Sequence, residues 1–465
     1  MKKETKKKQC NILDFSRFTQ DDNTIKLFFL IDNEREVSYT ISISHVINIL
    51  SCKLDRYIFL VGLNIFPSII SRFRPKTIKI SAGFLDEYNK KFWTKIYNQI
   101  FLSNDLSKIK NIEINSNRKF KPSNKLLKNK VLLLNNCSVF SCIASKILKI
   151  NKYYYEWLTI NPNKNDRLLC EISKRPSNYI HTKYNEKGTD KYQKYPMIDL
   201  SIGEISLMTL VAASKEYMFC FGCFPRTTIC KLQKVYRYSK SINFEQDFNT
   251  YFKLNVDTNM KYCNITQPFY LLQACKIFAR LPKYYQVIFN NPRLCKESKC
   301  ELHLNIYPFL SQTIKKYHDN YLENKELIPI FKELTGVDMG ETFYNDQNFD
   351  TLEKERNNMM AIYFISKKKH NPLIIVYFMK NYSNLLTKMK PYSTNYFLNL
   401  GEETDMPNKL YPKIISGYRT ILKDKDFKEN LNFSNLFIPK NDIIIIFGLV
   451  VLFLTLYYKK VIYIK

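Results

Sequence analysis

Ten glycines are spread over 465 residues, where average usage would supply roughly thirty. Phosphate-cradling loops, nucleophile elbows and close backbone approaches to a cofactor all depend on glycine. A chain this poor in it points away from nucleotide-dependent catalysis. The motif inventory agrees. The sequence contains no Walker loop, no HExxH, no GxSxG and no dense aspartate triplet. Its histidines (His45, His181, His303, His318 and His370) are scattered, which leaves no Cys/His pair visible as nucleophile and base. The acidic residues near Gly336–Glu341 could bind a cation, although a helix-to-loop turn explains them as simply. The expectation is a protein without catalytic activity of its own.

Size and composition predict a folded chain of two to three subdomains, with 45% hydrophobic and 25% charged residues. The formal charge of +30 builds a positive surface potential that attracts polyanions, either nucleic acid or anionic lipid. Part of the lysine excess reflects the residues an A+T-rich genome encodes, but that bias does not by itself explain so few acidic side chains. The N-terminus carries a basic run, Lys2–Gln9, and then polar and acidic residues where a signal peptide would need an apolar stretch. The twelve cysteines are therefore expected to stay reduced, as buried small side chains or as metal ligands.

The pattern along the chain interleaves strands and helices and predicts a mixed α/β or α+β fold. Ile25–Ile31 and Val37–Ile43 read as a hairpin around Asp32–Arg35. Thr77–Ser81 reads as a strand, and Leu85, Tyr88, Phe92, Trp93, Ile96, Tyr97 and Ile100 recur on one face of a helix. A strand over Ile109–Ile114, a buried strand at Val131–Leu134 and a short helix at Cys142–Ile150 follow. Lys174–Pro196, polar and punctuated by Pro176, Gly188 and Pro196, reads as a long loop. Beyond it come a cysteine-rich middle, a helical stretch near Leu310–Leu334 and a hairpin pairing Met360–Ile365 with Leu373–Met379. The expected divisions are a basic tail (1–20), an α/β unit (21–160), a Tyr/Lys loop with the cysteine-rich region (161–310), a helix and hairpin region (311–440) and an apolar C-terminal segment (441–465).

That last segment contains sixteen uncharged residues, Ile443–Tyr458. A spanning helix needs about 17–25 residues, whereas runs of roughly 10–14 are usually core. Two readings follow, a tail anchor formed by a C-terminal hydrophobic helix or a buried element.

Two constellations carry chemistry. Cys220 and Cys223 form a CxxC pair, and Cys295 and Cys300, with His303 beside them, form a second cluster. Two turn-borne pairs could supply the four tetrahedral ligands of a structural zinc; buried thiols are the plainer account. In the long loop, Lys183, Lys187, Lys191 and Lys194 interleave with Tyr184, Tyr192 and Tyr195. Ammonium groups contact phosphates, and aromatic faces stack on unpaired bases. Lys234, Tyr236, Tyr238 and Lys240 would share one face of a strand, which an edge protected by lysines also explains.

The stretch Leu54–Pro67 (LDRYIFLVGLNIFP), followed by Arg72–Ile80 (RFRPKTIKI), resembles the N-terminal part of the forty-seven-kilodalton subunit of the DNA-directed RNA polymerase of baculoviruses and related large insect DNA viruses. The resemblance implies a non-catalytic subunit of a viral transcription complex. It would act in the host nucleus on late genes, with other polymerase subunits and nucleic acid as partners and the catalytic aspartates on those other subunits. It assigns no functional residues. The alternative is a membrane protein anchored by its tail, in a viral envelope or an organelle, with a basic cytoplasmic domain.

Overall fold

In a computed structural model the described residues are 7–44, 54–102, 106, 111–198, 201–224, 238, 241–269, 271–278, 280–289, 406–407 and 410–423. Three strands open the chain: β1 (Ile12–Asp21), β2 (Thr24–Ile31) and β3 (Arg35–Ile43). Their apolar residues alternate, so Leu13, Phe15, Leu27, Phe29, Val37, Tyr39 and Ile41 are buried on one face. Helix α1 (Asp55–Phe73) then crosses that face, followed by β4 (Thr77–Ile80), α2 (Glu87–Leu102) and β5 (Ile112–Ile114). The expected hairpin and the strand at Thr77 appear, and the expected helix appears with Leu85 buried just ahead of it and Tyr88 exposed.

The second half alternates strictly: β6 (Lys128–Asn135), α3 (Val139–Ile150), β7 (Tyr155–Ile160), α4 (Lys164–Ser173), β8 (Ser177–Asn185), α5 (Ser201–Lys215), β9 (Tyr217–Gly222), α6 (Ile242–Asn255) and β10 (Lys261–Asn264). Helices α7 (Leu271–Phe278), α8 (Tyr285–Phe289) and α9 (Tyr411–Lys423) follow. All ten strands among the described residues join one sheet, in the order β10-β9-β6-β7-β8-β3-β2-β1-β4-β5. The fold is mixed α/β. From β10 to β8 every neighbouring pair is parallel; β8, β3, β2 and β1 pair antiparallel; β1, β4 and β5 are parallel again. The divide expected at residue 160 falls inside one strand-helix-strand unit of this sheet.

The reading of Lys174–Pro196 as a loop is corrected. Ser177–Asn185 is a strand at the centre of the sheet, bonded to β7 on one side and β3 on the other. Pro176 and Gly188 bound that strand rather than marking a loop. Asn178 and Ile180 are buried while His181, Lys183 and Asn185 are exposed, the period of two that a half-covered strand requires. The short helix α3 also starts three residues before Cys142, because Ser138 caps it by accepting the Ser141 N–H.

One face of the sheet lies under α1, α2, α5 and α6. Cys220 on β9 donates to the Met208 carbonyl of α5, and Trp93 of α2 meets Tyr251 of α6 at 5.0 Å between ring centroids. Gly62 lets α1 descend onto β1, since a Cβ there would fall 2.1 Å from the Phe15 ring. Pro67 inside α1 has no N–H to offer the Leu63 carbonyl; the Tyr97 hydroxyl of α2 donates to that carbonyl at 2.7 Å instead. On the other face, α3 and α4 cover only β6, β7 and their neighbours. Ser145 of α3 bonds Tyr155 at 2.7 Å, and Trp157 donates to Ser173 of α4 at 2.7 Å. No described helix lies on that face over β1, β2, β3 and the outer part of β8.

Candidate nucleic-acid interface

Two places on this sheet could hold a ligand: the crevice where strand order reverses, and the uncovered face. The strands β8-β7-β6-β9-β10 form a doubly wound sheet that reverses direction between β6 and β9. In such sheets ligands bind outside the carboxyl ends at that switch point. Here the turn after β6 is Asn136-Cys137-Ser138, with no glycine, and Cys137 takes the left-handed conformation at φ 50°. The Asn136 amide crosses the crevice and donates to the Cys223 carbonyl at 2.9 Å. Asn135 is consumed by Thr159, at 3.1 Å, and by the Asp166 carbonyl, at 2.9 Å. The Val287 carbonyl of α8 accepts from Asn165 at 3.5 Å at the same end. At the end of β7, where a nucleotide ribose would need a carboxylate, Asn161 is bonded to Thr182 instead. The polar groups at this end of the strands are thus bonded to the chain's own groups.

Thiols surround it. Burial raises Cys142 well above its ordinary value, with Cys137 and Cys223 nearby adding to the rise; burial raises Cys220 and Cys223 as well. Such thiols stay protonated at neutral pH and are poor nucleophiles. The expected zinc ligands Cys220 and Cys223 are both buried. Cys220 belongs to the core beneath α1 and α5, and Cys223, just past the end of β9, lies beside Ser141 of α3. Cys295 and Cys300 lie outside the described residues. Among the described residues no group of three or more His, Cys, Asp or Glu side chains is placed to hold a metal ion.

The uncovered face is built differently. Strand register sets three rows of directly opposed residues across β1, β2, β3 and β8: Arg17–Phe28–Ser38–Asn185, Thr19–Lys26–Thr40–Lys183 and Asp21–Thr24–Ser42–His181. Opposed residues share a face, so Arg17, Lys26, His181 and Lys183, all exposed, stand on one surface among short hydroxyl side chains. Arg17 lies over the Phe28 ring, 3.7 Å from its centroid, and pairs with Glu36 at 3.0 Å. Lys26 and Lys183 make no ion pair among the described residues. At the border with α4, Arg167 lies 5.2 Å from the centroid of Tyr179.

Of the seven residues the sequence singles out, Lys183 alone belongs to these rows. Tyr184, next to it, points to the covered face opposite Tyr39. Tyr192 is fully buried, with the Lys8 ammonium 5.4 Å from its ring centroid. Lys191 pairs with Glu34 at 2.5 Å, and Lys194 with Glu186 and Asp190 at 3.2 Å each. Tyr195 is covered by Arg74 at 3.9 Å. Lys187 is exposed beyond the end of β8. The basic tail is partly engaged too: Lys8 reaches Asp32 at 2.8 Å and bridges to Tyr192. Arg17, Lys26 and Phe28 are missed by sequence reasoning. Their signal is alternation, because Thr24, Lys26 and Phe28 occupy every second place in an otherwise apolar run. Lys234, Tyr236 and Lys240 lie outside the described residues, and Tyr238 is buried.

Comparison with protein-family models, with curated proteins and with solved structures finds no match.

Proposed function

We propose that this chain is a non-catalytic, nucleic-acid-contacting subunit of a larger assembly, and that the uncovered face of β1, β2, β3 and β8 is the contact surface. The observation that carries this reading is the row Thr19–Lys26–Thr40–Lys183: two lysines with no acidic partner among the described residues, flanked by Arg17 and His181, on a protein of net charge +30. Lysines that are not neutralised within the fold are the ones whose contact with phosphate releases counterions. The resemblance over residues 54–80 supplies the assembly, a viral DNA-directed RNA polymerase working in the host nucleus, whose other subunits would carry the catalysis. The tail-anchor alternative rests on Ile443–Tyr458, outside the described residues. Among the described residues no helix is long and apolar enough to cross a membrane.

Titrating the full chain with labelled oligonucleotides at several salt concentrations tests the reading. Replacing Lys26 and Lys183 together with Ala should weaken binding to all sequences alike. It should also reduce the slope of log affinity against log salt by about 0.7–0.9 for each lost phosphate contact. Replacing Lys191 and Lys194, whose ammonium groups are already paired, should change little. An unaltered affinity and slope in the Lys26/Lys183 variant would retire this face.

A further inference from the structure

The uncovered face carries more than charge. It is four strands wide, and with neighbouring strands about 4.8 Å apart it spans roughly 14 Å from β1 to β8. A duplex major groove, about 12 Å wide, admits a helix or a two-stranded ribbon, so this surface is too broad to enter it. Much of the floor is also short: Ser38, Thr40, Ser42 and Thr24 fill four of the six middle positions of the rows, and Phe28 and Lys26 fill the other two. The four hydroxyl side chains are too short to reach base edges inside a groove, and Lys26 presents a point charge suited to phosphate. A duplex lying here would touch by its phosphates alone.

Two ring positions on the same face can offer something a duplex does not use. At one corner the Arg17 guanidinium lies on Phe28 and is held there by Glu36. At the opposite corner the Arg167 guanidinium lies near Tyr179. A guanidinium resting on a ring is a ready platform for a third flat group, because base, guanidinium and ring attract by stacking and cation–π contact. Tyr179 sits six residues before Asn185 on β8, and Asn185 shares the row of Phe28. At about 3.3 Å per residue along the strand and about 4.8 Å per strand across it, the two rings are roughly 22 Å apart. Lys26 and Lys183, with no ion pair among the described residues, and His181 occupy the space between them.

We infer that this face takes single-stranded nucleic acid, laid diagonally from the Arg17–Phe28 corner to the Arg167–Tyr179 corner, with a base stacked at each and the intervening phosphates on Lys26 and Lys183. This deepens the contact reading above and rests on it.

The test measures affinity of the full-length protein for an unstructured single strand of thymidines and for a hairpin duplex of similar length. Phe28→Leu and Tyr179→Leu keep apolar volume and remove the flat face. Each should lower single-strand affinity by about fivefold or more and leave duplex affinity within about twofold. A fluorescent purine analogue in the single strand should be quenched on binding to the native protein and recover in these variants. Equal losses on both substrates, no loss on either, or unchanged quenching would overturn the single-strand inference. The Lys26/Lys183 variant separates the two levels: if it weakens binding while the ring variants behave alike on both substrates, the face survives and the stacking does not. If the lysine variant is silent, the face itself fails. Should a leucine variant not fold, Arg167→Gln on the exposed side of α4 carries the same comparison, with a selective single-strand loss expected and an equal or absent loss overturning the inference.

Discussion

Glu156 shows how one buried charge ties several elements together. Its carboxylate accepts from Lys215 at 2.6 Å and Asn178 at 3.1 Å through Oε2, and from Tyr217 at 2.6 Å through Oε1. Burial is the largest single influence and pushes this carboxyl up, but the bonds from Lys215, Tyr217 and Asn178 together outweigh it and hold it at about 2, against an ordinary 4.5. A carboxyl depressed by folding stabilises the native state above its unfolded value, and that stability is lost as pH falls through the folded one. Stability should therefore drop between about pH 4.5 and pH 2. After discounting for the partly exposed Lys215, the contribution at neutral pH is about 1–3 kcal/mol. Urea titrations across this range should show Glu156→Gln less stable than the native chain at pH 7 and flatter below pH 4.5. Parallel curves would mean the carboxyl is not depressed.

At the scale of elements, α1 is the helix on which the rest is set, and Pro67 is its irregular point. The proline frees the Leu63 carbonyl, and Tyr97 of α2 answers it. An acceptor left unsatisfied in a core costs about 1–3 kcal/mol. Tyr97→Phe should thus destabilise by that amount. In a Pro67→Ala background the new N–H can return to Leu63, so the same Tyr97→Phe change should cost appreciably less. A double-mutant cycle reads the difference directly, and strict additivity would show that the hydroxyl does not stand in for the missing amide.

Over the whole molecule, the seam between β3 and β8 and the packing of α1 on α5 join two topologically distinct halves. Trp93 on α2 and Trp157 on β7 are the two tryptophans of the chain, and both are buried. They report on opposite halves. If the shared sheet makes the halves one cooperative unit, Trp93→Phe and Trp157→Phe variants, each followed by its remaining tryptophan, should unfold at coincident denaturant midpoints once corrected for stability. Separated midpoints would show that the β3–β8 seam does not couple them.

Local patterns within ten or so residues were legible before any fold was known. Alternation marks β2 and β3, and the three- and four-residue spacing from Tyr88 to Ile100 marks α2. Scarce glycine does not mean scarce left-handed turns: nine described left-handed positions are filled by residues other than glycine, Cys137 at the switch point among them. What the sequence could not show is which local pieces meet. A spacing of three between Cys220 and Cys223 puts two side chains together on a helix or tight turn but on opposite faces of an extended chain, and the residues around them do not say which applies. Lys183 looked like part of a lysine-rich loop with Lys187, Lys191 and Lys194. It became a neighbour of Lys26 only because β8 pairs with β3 in one register, and a shift of one residue would have turned it to the covered face. Strand pairing between distant segments is decided by burial of a whole sheet face, a property no single stretch of sequence contains.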